Sequence, residues 1–335
     1  MFVLLKVNDA CCRWLFLLSQ FLVLFVAFGH TAVVAEPPIL RDDSSSSAEV
    51  RAQEIKLYAN AHPYLDNGPI ELKKAVPELK QLTAAASQSS LRDILARAAA
   101  ELDEPLSKSP NLVSEEVVTD TQPLRSVMQD PCPGMGACLV DTPKQFNYIL
   151  LIRRGNGDRL LLKEYRTSLD GKPVAPSDVP HSQGFASSWL ILSASNQPES
   201  HFRYLGEQKI DGRLTYVVAF AQIPGAVENP GYLFRSLQSA PMLLQGIAWI
   251  SQADYRITRI RTDLLEAQTE IGYQEQTAKI EFRAAQISAL RLQLWLPSAV
   301  TIETVVDGQL RREQHRYSKY RLYEAKSRII LNHTN

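Results

Sequence analysis

Few residues in this chain have types and spacing suited to chemistry, and the first are Cys132 and Cys138. They are the only cysteines after residue 12 in a chain of 335 residues. In an exported protein, the intervening Pro-Gly-Met-Gly-Ala would allow them to close a small disulfide loop. Two free thiols, or a redox or metal function, are the alternatives. The spacing is not C-x-x-C, and no histidine lies between residues 63 and 180 to complete a zinc site.

Candidate nucleophiles and bases are present only as isolated residues. The sequence contains no G-x-S-x-G, no phosphate-binding P-loop and no H-E-x-x-H motif. Ser187 and Ser188 have no sequence relation to His181 or His201 that would indicate a catalytic pair. The G-x-G at residues 134–136 lacks the third glycine and the flanking strand and helix of a dinucleotide site. An enzyme is therefore the least favoured class, and no cofactor is expected.

Basic residues surround His315 near the end of the chain: Arg311, Arg312, Arg316 and Lys319. Such a cluster could bind an anion. The alternative is a solvated strand whose charges discourage edge-to-edge aggregation. A second basic cluster, earlier in the chain, admits the same two interpretations: Arg256, Arg259 and Arg261.

Three tryptophans lie in apolar segments that favour strands: Trp189, Trp249 and Trp295. On a curved sheet they could line a cavity for an acyl chain, a ligand that requires apolar surface and little polar chemistry. More commonly, such side chains fill a core. Both interpretations stay open from the sequence.

The N-terminus has the pattern of an export signal. Lys6 and Arg13 precede the apolar run 14–28, and small residues before Glu36 predict cleavage after Ala35. An uncleaved anchor is the alternative, but the run is shorter than the roughly 20 residues usual for a membrane span. We expect a periplasmic or secreted protein with no stable transmembrane span after processing. Its formal net charge of zero indicates no nucleic-acid partner.

The mature chain is predicted to begin with a disordered linker, 36–48, and a helical segment, 49–106. Within that segment we expect a helix at 49–61 and two short helical pieces at 70–76 and 77–85, separated because Pro77 disfavours helix. A further helix is predicted to start with a capping box formed by Ser90 and Asp93, and to end at Pro105.

Residues 107–330 favour an antiparallel β domain, followed by a tail, 331–335. Turn pairs at 156–157, 211–212 and 307–308 separate short alternating runs, which is typical of hairpins. The expected fold class is α+β. Other segments are assigned as follows: a strand at 111–119, a loop at 121–141, an ambiguous apolar stretch at 184–194, and a long loop, a candidate lid, at 223–245.

Several blocks of the sequence resemble a group of exported bacterial proteins: PELKQL, NYILLIRR, YLGEQKIDGRLTYVVAFA, LLQGIAWISQADYRITRIRTDLL and LWLPSAVTIETVVDGQ. The strand region resembles the half-barrel of LolA/LolB-type lipoprotein carriers. That resemblance implies helices packed on a large curved antiparallel sheet that shelters acyl chains, with a lipid or lipoprotein as partner. The competing readings are an envelope scaffold with a filled core, which would have an envelope protein as partner, and an enzyme.

Overall fold

Strands are the predominant secondary structure of the described residues in this computed structural model. It describes residues 46–109, 111–123, 139–155, 159–174, 188–235, 238–287 and 292–323. The predicted signal segment, most of the predicted linker, the cysteine pair and the tail lie outside the described residues.

The described residues form three α-helices and thirteen strands. The helices are α1 (Ser46–Leu57), α2 (Pro69–Ala75) and α3 (Leu91–Lys108). The first strands are β1 (Thr83–Ala84), β2 (Leu112–Pro123), β3 (Leu139–Arg154), β4 (Leu160–Thr167), β5 (Ser200–Ile210) and β6 (Arg213–Gln222). The others are β7 (Gly231–Arg235), β8 (Gln238–Met242), β9 (Leu244–Ser251), β10 (Ile257–Leu264), β11 (Tyr273–Ile287), β12 (Leu292–Val306) and β13 (Gln309–Leu322).

Eleven of these strands form one sheet, in the order β1-β5-β6-β9-β10-β11-β12-β13-β2-β3-β4. Every described pairing in it is antiparallel. The chain meanders from β9 to β13, and β13 then pairs with β2, so the sheet joins the two ends of the domain. β7 and β8 form a separate hairpin. The predicted antiparallel sheet and the α+β class are confirmed.

Two predicted turns have the backbone that their sequences require. Asp211 and Gly212 have φ values of 46° and 83°, and Asp307 and Gly308 have values of 50° and 72°. In both cases the flanking residues pair directly, so the loop is two residues long. Positive φ at both loop positions is the geometry of a type I′ turn, which matches the twist of the paired strands.

The sheet is open but strongly curved. Arg159, which precedes β4, forms an ion pair with Glu199, which precedes β5. These two strands are nine steps apart in the sheet, about 40 Å if it were flat. Because the two side chains touch, the sheet must curl until this end is nearly closed. The curled sheet is the half-barrel expected from the sequence.

Helices cover both faces of the β5–β6–β9 region. On the inner face, α3 packs Ile94, Leu102 and Leu106 against strand residues such as Phe220 and Ile250. On the outer face, α2 and the short helix after Pro77 supply a second apolar cluster: Leu72, Val76, Leu79 and Leu82. As a result, every residue of β9 is buried. No helix among the described residues is long and apolar enough to cross a bilayer.

The helical segment differs from its prediction at the ends of its helices. α1 begins at Ser46, inside the predicted linker. The capping box is not formed, because Ser90 has helical φ and ψ of −83° and −13° and makes no capping bond, whereas Asp93 accepts from Arg97. Pro105 does not end α3, which continues to Lys108. The buried side chain of Leu106 holds that last turn against the core and offsets the lost backbone bond. The break at Pro77 is confirmed.

Two predicted loops are shorter than expected, and one predicted helical piece is helical only over Pro77–Gln81. β2 and β3 extend to residues 123 and 139 and stay paired, which shortens the loop predicted at 121–141. The loop predicted at 223–245 contains the β7–β8 hairpin and the start of β9. The helical piece predicted at 77–85 ends in β1, which pairs with β5. Residues 188–192, in the ambiguous stretch, are helical.

Candidate functional site

A cavity of about 240 Å³ opens at the end of the half-barrel where β4 and β5 approach each other. The first residues of β4, β5 and β9 and the last residue of β6 meet there. The apolar part of its lining includes Leu160, Leu162, Leu190, Ile191, Val227 and Leu244. Several of these side chains belong to the inner core cluster, so the floor of the cavity is continuous with the core. We call this space the mouth cavity.

Arg159 dominates the polar rim of the mouth cavity. Its Nη1 lies 2.8 Å from Glu228 Oε2, and its Nη2 contacts Glu199 Oε1. The Glu228 backbone N–H also donates to Glu199, at 3.1 Å. Among the described residues, the buried Nε of Arg159 has no acceptor. A buried donor without an acceptor is unfavourable.

A cluster of polar side chains from β2, β4 and β13 is buried on the inner face of the sheet. Glu116 of β2 accepts from Arg166 of β4 at 2.6 and 2.9 Å. It also contacts His315 Nδ1 and Tyr317 Oη of β13, each at 2.9 Å. The side chains of Glu116, Arg166 and His315 are 0%, 3% and 0% exposed. We call these four residues the inner ionic network.

The partners in the inner ionic network stabilise its charged forms. Burial alone would raise the pKa of Glu116, but hydrogen bonds from His315 and Arg166 lower it to about 2. Burial alone would lower the pKa of His315, but its bonds to Glu116 and Glu313 raise it above its ordinary value. The Glu116 carboxylate therefore stabilises both the guanidinium and the imidazolium, whereas the positive charge of Arg166 opposes protonation of His315.

This arrangement is unsuited to proton transfer near neutral pH. A carboxylate whose pKa is about 2 is a weak base, and Arg166 stays charged because its pKa is raised. His201 is exposed and Ser188 is buried, with no contact between them, while His181 and Ser187 lie outside the described residues. The described part of the chain holds no group of three side chains that could bind a metal.

The structure brings two of the three tryptophans together. Trp189 is buried against Phe282, with ring centroids 5.4 Å apart. It shares a small cavity of about 30 Å³ beside α3 with the half-buried Trp295. Trp249 lies on the outer face, fully buried under α2, and donates to Gln208 at 3.2 Å. The three side chains therefore do not face one common space.

Alternation along β13 separates His315 from the basic residues next to it. Arg312 and Arg316 are exposed, whereas His315 points inward and is fully buried. The interpretation of His315 as part of a solvated strand was therefore wrong. Its partners Glu116 and Arg166 were not identified from the sequence. The only hint was that Glu116 shares a face of β2 with the apolar residues Leu112 and Val118.

The other basic cluster places Arg259 and Arg261 on the same, outer face of β10. Arg261 is buried on the outer face between Asp263 and Glu78, at 2.8 and 2.9 Å. Arg259 lies 3.3 Å from Glu281 and over the ring of Trp249. Arg261 joins the short helix after Pro77 to the sheet through Glu78, whereas the contacts of Arg259 stay within the sheet.

Comparisons with known proteins give fold neighbours only. No family model and no curated protein matches the chain. Similar solved structures include a LolA superfamily protein from Nitrosomonas europaea, at 13% identity and a TM-score of 0.34, covering 69% of this chain and 94% of that one. A putative outer membrane lipoprotein-sorting protein domain from Vibrio parahaemolyticus has 12% identity, a TM-score of 0.37, and coverage of 69% and 93%. A DUF1329 family protein from Desulfovibrio piger has 12% identity, a TM-score of 0.35, and coverage of 70% and 94%. These matches include a member of the LolA superfamily, the group that the strand region of the sequence resembles.

Proposed function

We propose that this protein is an exported, non-enzymatic binder of an acyl chain or another apolar ligand, which it takes at the mouth cavity. The observation that carries the proposal is the composition of that cavity. Its floor is apolar and continuous with the core, whereas its rim is polar and centred on Arg159. An amphiphile has the same division between a tail and a head.

The size of the mouth cavity indicates how such a ligand would be held. Its 240 Å³ lies just below the range of about 300–1,000 Å³ typical of small-molecule sites. We expect it to take the end of a chain, each buried methylene contributing about 0.8 kcal/mol. The unpartnered Nε of Arg159 would donate to a carboxylate or ester oxygen of the head.

An interaction module with a filled core is the second candidate. It is favoured by the packing of α3 and residues 188–192, whose buried side chains occupy the inner face over β6 and β9. In that case the mouth cavity would stay empty, and the protein would act through its outer surface on an envelope protein. The two candidates predict opposite results for binding of a fatty acid.

The decisive experiment is titration of the full exported chain with cis-parinaric acid, a fatty acid that fluoresces in apolar surroundings. Leu162→Trp places a ring in the mouth cavity and should weaken binding about tenfold or more, since it displaces several methylenes. Leu214→Trp adds the same ring at a position that is 56% exposed, and should leave binding unchanged.

Two results would decide against apolar binding at the mouth cavity. One is a wild-type protein that gives no saturable fluorescence increase. The other is equal weakening by both tryptophan variants, which would indicate binding away from the mouth cavity. Native mass spectrometry of the purified chain adds an independent check, because a carrier should retain co-purifying lipid. Crosslinking to a specific envelope protein without lipid would support the filled-core candidate.

Export and the disulfide are part of the same proposal. We propose cleavage after Ala35 and a bond between Cys132 and Cys138 in the periplasmic or secreted protein. N-terminal sequencing of the exported form should begin at Glu36. Alkylation without reduction should add no mass to the mature chain, and alkylation after reduction should add two groups.

A further inference from the structure

The sheet splits between β12 and β13. These strands pair only over Ala299–Val306 and Gln309–Arg316. Before Ala299, β12 pairs with β11, and after Arg316, β13 pairs with β2. The two strands therefore diverge and leave a cleft of about 630 Å³ between them.

The cleft has a mixed lining, in which apolar residues such as Leu296 and Pro297 and one carboxylate, Glu281, accompany basic and neutral polar side chains. Arg283 and Arg316 are exposed, and no acidic side chain of the described residues lies within 4.0 Å of either. Lys319 also lines the cleft and pairs with the exposed Glu115 at 2.9 Å. Ser298 supplies a hydroxyl. The guanidinium groups are therefore available to a ligand from solvent.

A second groove of about 530 Å³ adjoins the cleft at Arg283. It adds Arg213, which is exposed and has no acidic partner among the described residues, and Arg259, which is held by Glu281. Asp211 is the other acidic residue of this lining. Basic residues thus outnumber acidic ones along both grooves, although the whole chain has a formal net charge of zero.

We propose that the two grooves on either side of Arg283 bind an anion that carries more than one phosphate group. A guanidinium presents two parallel donors to two phosphate oxygens, and it stays charged at every physiological pH. Several such groups around one junction match an anion with charge at several points. Arg261, by contrast, is buried and its charge is already compensated by Asp263 and Glu78.

The proposal is tested by titrating the full chain with inorganic tripolyphosphate in an isothermal calorimeter. Arg283→Gln and Arg316→Gln should each weaken binding about tenfold, as expected for the loss of a charge-assisted hydrogen bond. The matched control is Arg153→Gln, which removes the same charge from an exposed arginine of β3 that lines neither groove. The control should bind as the wild type does. Arg283→Lys should recover only part of the affinity, because a lysine lacks the forked donors.

Vesicles distinguish the two sources of such an anion. Phosphatidylcholine vesicles with and without phosphatidic acid are sedimented with the same variants. Retention that needs phosphatidic acid and Arg283 indicates a lipid headgroup, whereas binding of tripolyphosphate alone indicates a free polyphosphate. The proposal is overturned if the wild type binds neither probe. It is also overturned if Arg153→Gln weakens binding as much as Arg283→Gln does, because the effect would then be one of general charge. None of these variants alters the mouth cavity, so the outcome is independent of fatty acid binding.

Discussion

Two halves of the same sheet are buried by different means. In the half made of β6 and β9, apolar residues fill both faces, with Trp249 packed on the outer side and Ile250 on the inner side. In the half made of β2 and β13, the inner face carries Glu116 and His315, while the outer face exposes Arg316 to water. One half thus relies on apolar packing and the other on a set of matched charges.

The difference matters because the two kinds of interior respond differently to substitution. An apolar core tolerates changes that keep volume, and it loses stability in proportion to the volume removed. A buried ion pair contributes little net stability, but loss of one partner leaves a buried charge without compensation. The inner ionic network should therefore be the least tolerant part of the inner face.

The largest expected effect is that of Glu116→Gln. This variant keeps the shape of the side chain but removes the charge that compensates Arg166 and His315. We expect a loss of about 3–5 kcal/mol in the free energy of unfolding. Urea denaturation followed by tryptophan fluorescence measures it directly.

The neighbouring residue provides the control for that variant. Glu115→Gln makes the same chemical change on the other face of β2, where the pair with Lys319 is exposed. It should cost no more than about 1 kcal/mol. Equal losses of unfolding free energy for the two variants would contradict the placement of Glu116 in the buried inner ionic network. They would indicate that both carboxylates lie in water.

The apolar half is tested by Leu72→Ala on α2. Leu72 is 2% exposed and packs against the outer face of the sheet, so its truncation should cost about 2–5 kcal/mol. Ile70→Ala, two residues earlier on the same helix, is the matched control, because Ile70 is 81% exposed. Its expected cost is below about 0.5 kcal/mol. A small effect at Leu72 would mean that α2 does not cover the sheet.

Local signals account for the parts of the fold that could be predicted from the sequence. Asp211-Gly212 and Asp307-Gly308 determine their turns through backbone preferences of two residues, so the hairpins were predicted with their loops. Pro77 divides its helical pieces for an equally local reason. The β7–β8 hairpin was missed because Pro241 lacks a backbone N–H and argues against a strand. The hairpin accommodates it because each of its two strands has an unpaired edge.

The inner ionic network could not be predicted, because it depends on contacts between distant strands. Glu116 is 50 residues from Arg166 and 199 from His315. Glu115 and Glu116 are identical in type, and only the register of β2 against β13 determines which of them points inward. The mouth cavity has the same origin, since it forms where the first residues of β4 and β5 meet through curvature of the whole sheet.

The inner ionic network also predicts how stability depends on pH. The folded pKa of Glu116 is about 2, below its ordinary value of 4.5, so the unfolded chain binds its proton more readily. Stability should fall as pH falls from about 5 to 2, by about 3 kcal/mol in total from this group. The raised pKa of His315 acts at higher pH. Its contribution to the stability of the fold is present below pH 6.5 and is lost as pH rises through the pKa of His315 in the folded state.

Urea midpoints measured across pH separate these two contributions. In Glu116→Gln, the loss of stability at low pH should be smaller than in the wild type. In His315→Gln, the loss of stability above pH 6.5 should be smaller. If the loss of stability at low pH is unchanged in Glu116→Gln, other carboxylates cause that loss. If the loss of stability above pH 6.5 is unchanged in His315→Gln, this imidazole does not gain a proton on folding.

The smallest expected effect belongs to a surface ion pair outside both halves. Arg235 of β7 donates to Asp307 in the β12–β13 turn at 2.7 Å, and both side chains are 40% or more exposed. Asp307→Asn keeps a residue that tolerates the positive φ of the turn and removes only the charge. We expect a loss of about 0.2–1 kcal/mol in dilute buffer, which disappears in concentrated salt because exposed charges are screened. Hydrogen exchange of the β7–β8 amides should increase in the variant, and a loss that persists at high salt would contradict a purely electrostatic anchor for that hairpin.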